Sequence, residues 1–322
     1  MFKQPIYKQP VALFIATLLS LIIATNWVSV QAQVKPKVQQ TTPPTFTKFQ
    51  DAGKLNLSAD GKPFKPEDVN QSDNPDPEHR GTIGPDDRIP MFSREYPWSA
   101  IGRIQGTTTD AQNYSCTGTL IGDDSVLTNA HCVIDPETHQ LSRQIIFSPN
   151  VIDGKVADQR DIAFVERVTY GTDFTDDEIT NQTQDWAIMK LNKPIGRKYG
   201  YLGHKSLPTS TLINNPKKFA FVGYSGDYPD PKTRGYEFLK AGAGWTAGYQ
   251  VGCSIVKEER DILFHDCDTA AGSSGGPIMA WIGNKPYIVA LNNAEIKNLN
   301  THQDVINLAV KISFLDRLAG KN

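Results

Sequence analysis

At 322 residues the chain can hold one large domain or two modest ones, and its 39% hydrophobic content supplies a core. A formal charge of −2 leaves no electrostatic footprint for nucleic acid or an anionic membrane surface. No zinc or haem cysteine spacing, no glycine-rich phosphate loop with its lysine and no dinucleotide fingerprint occurs.

The first element is a targeting segment over residues 1–32. Lys3 and Lys8 give a positive flank, Val11 to Ala24 is uncharged and apolar, and Val30-Gln31-Ala32 offers a cleavage site. The apolar run is short of the about 20 residues that a membrane span needs, so a signal peptide is expected, with an uncleaved anchor as the alternative. Residues 33–81 lack a sustained apolar period and carry Pro36, Pro43, Pro44, Pro63, Pro66, Pro75 and Pro77 among polar residues. They read as a pro-segment or disordered linker.

From residue 82 onward, short apolar runs alternate with Gly, Asp, Asn and Pro, the pattern of an all-β barrel or sandwich. Predicted strands cover Trp98–Ile104, Tyr114–Ile121, Ser125–Ala130, Gln144–Phe147, Ile162–Thr169 and Asp185–Leu191. Gly122-Asp123-Asp124 turns a hairpin between the second and third. A proline- and glycine-rich crossing over 193–216 separates these from a second group. That group covers Lys218–Tyr224, Phe238–Trp245, Tyr249–Val256, Asp261–His265, Ile278–Ile282, Pro286–Leu291 and Ile306–Ile312. A short helix over Ser313–Ala319 closes the chain, with Ser313 as N-cap and Gly320 as the stop. Four cysteines, Cys116, Cys132, Cys253 and Cys267, allow three pairings, of which the local one, Cys116–Cys132 and Cys253–Cys267, is the simplest. With an export signal, two disulfides are expected.

Three stretches carry chemistry. Gly272-Ser273-Ser274-Gly275-Gly276-Pro277 is built to bend a backbone and display a hydroxyl, which stays a weak nucleophile until a base takes its proton. His131 follows a predicted strand end and neighbours Cys132, a placement that suits a general base, although a lone histidine is as readily a packed one. Asp185 leads into a mostly apolar strand, where a carboxylate needs a donor such as an imidazole N–H; the plain alternative is a strand-initiating turn.

Thr128-Asn129-Ala130-His131-Cys132, Asp185-Trp186-Ala187-Ile188-Met189-Lys190-Leu191 and Gly272–Pro277 together resemble the signature blocks of trypsin/chymotrypsin serine endopeptidases, in that family's order. Cys116-Thr117-Gly118-Thr119-Leu120-Ile121 resembles the strand before the histidine, whose cysteine bridges to the one after it. Ile83-Gly84-Pro85-Asp86-Asp87-Arg88 and Asp268–Ser274 are most similar to the secreted bacterial branch that includes glutamyl endopeptidases. The resemblance covers residues 82–322 and implies two six-stranded antiparallel β-barrels. It implies Ser274 as nucleophile, His131 as base and Asp185 as its orienting acid, with the N–H groups of Gly272 and Ser274 as oxyanion hole. No cofactor or metal is needed. A secreted or periplasmic monomer acting on proteins or peptides is expected, with no nucleic-acid partner and no stable membrane association after signal cleavage.

Two departures bear on that reading. Ser273 stands where trypsin-like animal enzymes carry an aspartate that pairs with the freed N-terminus, so a zymogen switch, expected near Arg80-Gly81, must differ. Asp268 lies six residues before Ser274, the place of the acid that selects Lys or Arg, with Thr269 and Asn292 as further substrate-binding candidates. No histidine falls at the Asn292 position, which weakens glutamyl specificity, and Glu295 would disfavour acidic substrates. The alternatives are a protease of other specificity and a non-catalytic secreted binding protein with the same fold. Asp173, Asp176, Asp177 and Glu178 read as a solvated loop rather than a calcium site, Trp98, Trp245 and Trp281 as packing, and His204, His265 and His302 as surface or structural groups.

Overall fold

The computed structural model describes residues 40, 42–62, 85–297 and 304–320. The expected signal segment, His302 and the Arg80-Gly81 bond lie outside the described residues. In chain order the strands are β1 (Thr45–Lys48), β2 (Ile89–Pro90), β3 (Ile101–Thr107), β4 (Asn113–Leu120), β5 (Ser125–Thr128), β6 (Gln144–Pro149), β7 (Ala163–Tyr170) and β8 (Ala187–Leu191). They continue as β9 (Gly203–His204), β10 (Phe219–Gly223), β11 (Gly248–Cys253), β12 (Ile255–Glu259), β13 (Ile262–His265), β14 (Pro277–Ile282), β15 (Lys285–Lys297) and β16 (Asp304–Lys311). Among the described residues, four short α-helices are α1 (Glu178–Thr183), α2 (Gly196–Tyr199), α3 (Thr209–Ile213) and α4 (Ser313–Leu318).

The first group of strands pairs in the order β7-β6-β3-β4-β5-β8, and β8 returns to β7, which closes a six-stranded antiparallel barrel. β6 meets β7 only at Ala163 and Phe164, and β1 pairs in parallel with the later part of β7, residues 167–170. The barrel is filled by side chains such as Ile104, Leu120, Val126, Phe147 and Met189, which share one face of the sheet and are all buried. The second group runs β12-β13-β16-β15-β14-β10-β11-β2, with β9 alongside β15. The expected all-β, trypsin-like architecture is present, but the hydrogen-bonded path of this second half stays open rather than closing on itself. Its own apolar cluster includes Phe219, Phe221, Leu263, Ile278 and Val289. Two disulfides, Cys116–Cys132 and Cys253–Cys267, follow the local pairing.

Several local expectations need correcting. The segment expected to be a linker carries β1 and packs on the barrel. Phe46, Phe49, Leu55 and Leu57 lie against the main core, Leu55 N donates to Leu318 O at 3.0 Å, and Lys62 bridges to Tyr201. Removing everything up to Arg80 on maturation would strip this strand from β7. Phe238–Trp245 is not a strand. Gly242 and Gly244 hold positive φ (87° and 77°), which breaks the extended geometry that its apolar residues suggest. Ser313 is the first helical residue of α4 rather than its cap; Ile312 takes the cap position without a side-chain bond, while Gly320 follows the helix at φ 70°. The crossing over 193–216 carries α2, β9 and α3. In the acidic loop Lys48 Nζ lies 3.2 Å from Asp173 and 3.7 Å from Asp176, and Asp177 caps α1 through the N–H groups of Ile179 and Thr180. Among the described residues no helix is long and apolar enough to cross a membrane.

Candidate active site

The strand ends of the first barrel set the first two groups. β5 runs out at Thr128, and the chain turns through a short 3-10 segment, Ala130–Cys132, that carries His131. Cys132 is tied to Cys116 on β4, so the histidine is anchored on two sides. β8 pairs with β5, with Ala187 opposite Thr128, which brings Asp185 beside the same turn. Asp185 is 3% exposed and its carboxylate is fully engaged. Oδ1 accepts the His131 backbone N–H at 2.9 Å, and Oδ2 lies 2.6 Å from His131 Nδ1. Asn129 Nδ2 donates to the Asp185 carbonyl at 2.7 Å, which fixes the backbone of the acid as well. Just behind it, Trp186 stacks on Phe314 (4.2 Å between centroids) and meets Phe49 edge-on, so α4 and the N-terminal arm support the aspartate from the core.

Burial works against a proton on His131, but the adjacent Asp185 charge and hydrogen bond outweigh it and raise the histidine above its ordinary pKa. With Nδ1–H held by the carboxylate, Nε2 is left as the ring's acceptor. Opening the Cys116–Cys132 bridge by replacing both cysteines with serine is expected to cost about 3 kcal/mol for a loop of this size. A fall in Tm measures that cost.

The second half supplies the hydroxyl. Gly272 (φ 96°) and Gly275 (φ 81°) flank Ser273 and Ser274 in conformations that favour glycine. A Cβ at Gly275 would also sit 2.2 Å from Thr128 Oγ1 and 2.4 Å from Thr117 O, so the turn presses directly on the strands that carry His131. Within the loop, Ser273 N, Gly275 N and Gly276 N donate to Ala270 O, Asn292 O and Ser273 O. Among the described residues, no acceptor takes the N–H of Gly272 or Ser274. Ser274 Oγ donates to Asn293 O at 3.3 Å, and Ser274 O accepts from Thr117 N at 2.9 Å, a bond that joins the two halves.

His131, Asp185 and Ser274 line one cleft of about 410 Å³ together with Phe174, Gln182, Thr269, Asn292, Asn293 and Glu295. Thr269 is 2% exposed and its hydroxyl has no partner among the described residues. Asp268, expected at the pocket base, is not among the lining residues. It is 1% exposed, and its Oδ2 accepts the backbone N–H of Asp87 at 2.8 Å. Gln182 and Asn293 escaped the sequence reading. They meet across the cleft, Asn293 Nδ2 donating to Gln182 Oε1 at 2.8 Å, from residues 111 apart in the chain.

A closed barrel, a second sheet beside it, and His, Asp and Ser converging where they meet are the architecture of the trypsin-like serine proteases. A family model described as Trypsin matches residues 90–316, and the chain belongs to that family. It is 26% identical over 219 residues to serine protease 23 of Bos taurus, covering 62% of this chain and 51% of that protein. It is 28% identical over 200 residues to the glutamyl endopeptidase of Bacillus licheniformis, covering 62% and 54%. The chain thus spans about half the length of these curated relatives. Among solved structures it is similar to Glu endopeptidase in complex with MPD (TM-score 0.55, 23% identity, 74% of this chain and 100% of that one). It is also similar to Protease Anisep from Arthrobacter nicotinovorans (TM-score 0.52, 16% identity, 71% and 98%). These two likenesses bear on the fold.

Proposed function

We propose that the protein is a secreted serine endopeptidase that hydrolyses peptide bonds through an acyl-enzyme formed on Ser274. The observation that carries this reading is the 2.6 Å His131–Asp185 pair opening on the same cleft as Ser274. Ser274 Oγ attacks the scissile carbonyl while His131 Nε2 takes its proton. The tetrahedral oxyanion is held by the uncommitted N–H groups of Gly272 and Ser274. The C–N bond breaks as His131 returns the proton to the leaving amine, and water, activated by the same imidazole, then releases the acyl group. Asp185 keeps the imidazole in the required tautomer and stabilises its charged form. The chemistry asks for no cofactor. Protein or peptide chains are the substrates, one protein chain suffices for the site, and the two disulfides favour an oxidising compartment outside the cytosol.

A preference for Lys or Arg before the scissile bond is proposed on Glu295 and Thr269, which line the cleft, rather than on Asp268, which does not. The Thr269 hydroxyl would accept from an ammonium or guanidinium, and the Glu295 carboxylate would attract it. Glu295→Gln is then expected to reduce the kcat/KM advantage of Lys and Arg substrates by about three- to tenfold. A peptide-library digest, read for the residue before each cut, tests this; an unchanged cleavage pattern in the variant would remove Glu295 from the argument. The core proposal is tested by a tagged fluorophosphonate. Labelling at Ser274 is expected, and no labelling would favour a binding protein that keeps the fold.

A further inference from the structure

His265 is fully buried at the end of β13, and peptide hydrolysis as proposed makes no use of it. Its Nε2 lies 3.1 Å from Asn292 Oδ1 and 3.3 Å from Leu308 O. Asn292, on β15, in turn places Nδ2 at 3.2 Å from Ser273 O and 3.3 Å from Ser273 Oγ. Carbonyl oxygens only accept, which settles every orientation in this chain. Ser273 O requires the NH2 end of Asn292, so Oδ1 faces the histidine. Leu308 O and Asn292 Oδ1 then both require a proton on Nε2. Nδ1 has no partner among the described residues, so the ring is the neutral Nε2–H tautomer. Burial agrees, pushing the histidine down to about 4 against the pull of its two acceptors.

Asn292 is more than a link to Ser273. Its carbonyl accepts from Gly275 N at 3.1 Å and its N–H donates to Gly276 O at 3.0 Å. One residue therefore grips the chain on both sides of Ser274, by its side chain before and by its backbone after. We propose that His265 is a positioning residue: through the Asn292 amide, its Nε2–H holds Ser273, and with it the Ser274 loop, in the conformation that reacts. Every group in this chain of bonds is neutral, so the loop is held without a charged partner. The inference rests on the proposed role of Ser274.

The test follows fluorophosphonate labelling of the full chain, in which the Ser274 Oγ–P bond forms, the P–F bond breaks, fluoride leaves and the hydroxyl proton passes to His131. His265→Phe keeps a ring but removes the donor, and should slow labelling by about tenfold or more, the loss expected when buried acceptors are left unpaired. His265→Gln, whose amide nitrogen reaches the Nε2 position, should restore most of the rate, whereas His265→Asn, one carbon shorter, should not. In an Asn292→Ala background, His265→Phe should add less than about twofold, because the two residues act through one path. Where His265→Phe does not fold, the contrast between Gln and Asn at this position decides. Labelling of His265→Phe at the wild-type rate, equal rates for Gln and Asn, or a slowing of the same size in the Asn292→Ala background would overturn the proposal. A wild-type chain that is not labelled at Ser274 would instead overturn the endopeptidase reading beneath it.

Discussion

Ser274→Ala is expected to lower peptide hydrolysis by about 10⁶-fold in kcat, the scale seen when the nucleophile of such a constellation is removed. The change should leave the fold nearly untouched. Ser274 is half-buried, and its hydroxyl contributes a single 3.3 Å bond to Asn293 O. The backbone bonds that shape the loop, from Gly275 N to Asn292 O and from Thr117 N to Ser274 O, do not involve the side chain. Circular dichroism and Tm should therefore match the wild type, with only background hydrolysis. Ser273→Ala is the informative neighbour. Ser273 is 1% exposed and its Oγ takes a bond from Asn292, so its loss should appear mainly in stability. Full activity in Ser274→Ala, or loss of activity confined to Ser273→Ala, would move the nucleophile or remove it.

Asp185→Asn is expected to cost about 10⁴ in kcat, by a tautomer argument that the geometry makes specific. Oδ1 of the aspartate accepts the His131 backbone N–H, which can only donate, so the asparagine must turn its oxygen to that side. Its NH2 then faces Nδ1, which has to become an acceptor, and the ring proton is driven to Nε2. In the proposed mechanism this blocks the imidazole at the atom that receives the Ser274 proton. The pH dependence should move as well. In the wild type, Asp185 raises His131, so the imidazolium persists to higher pH than in an ordinary histidine. The proposed mechanism needs the neutral ring, so kcat/KM should rise with pH through that raised pKa. Without the carboxylate charge the acid limb should shift to lower pH while the plateau stays depressed. A pH–rate profile of both proteins checks the pair of effects, and an unchanged limb would mean that Asp185 does not act on His131 electrostatically.

Much of this was open to reading along the chain because it depends on neighbours in sequence. The hairpin at Gly122-Asp123-Asp124 is set by turn chemistry and flanking apolar alternation, and it joins the expected strands. The glycines around Ser274 announced a positive-φ turn, and Gly272 and Gly275 adopt one. The local cysteine pairing follows from short loops. Where local pattern misled, a distant partner was the cause. Phe46, Phe49, Leu55 and Leu57 are too irregularly spaced to show a period, and they acquire a buried face only against the barrel and α4. Asp268 is expected at the pocket base from its spacing to Ser274, but the Asp87 backbone, 181 residues earlier, donates to its carboxylate.

Local pattern along the chain specifies the chemical inventory and its order: a histidine at a strand end, an aspartate leading into an apolar strand, and a serine in a glycine turn. Periodicity and turn preference are local, and they suffice for that. Which of these groups lie together depends on strands that are far apart in the chain and meet only in the folded molecule. His265 looked like a surface or structural histidine because nothing nearby in sequence says that β13 faces Asn292 and Leu308. Its burial, its tautomer and its reach to Ser273 arise from strand pairing across tens of residues, and hydrogen-bond direction in a buried chain is set by the carbonyls waiting at either end.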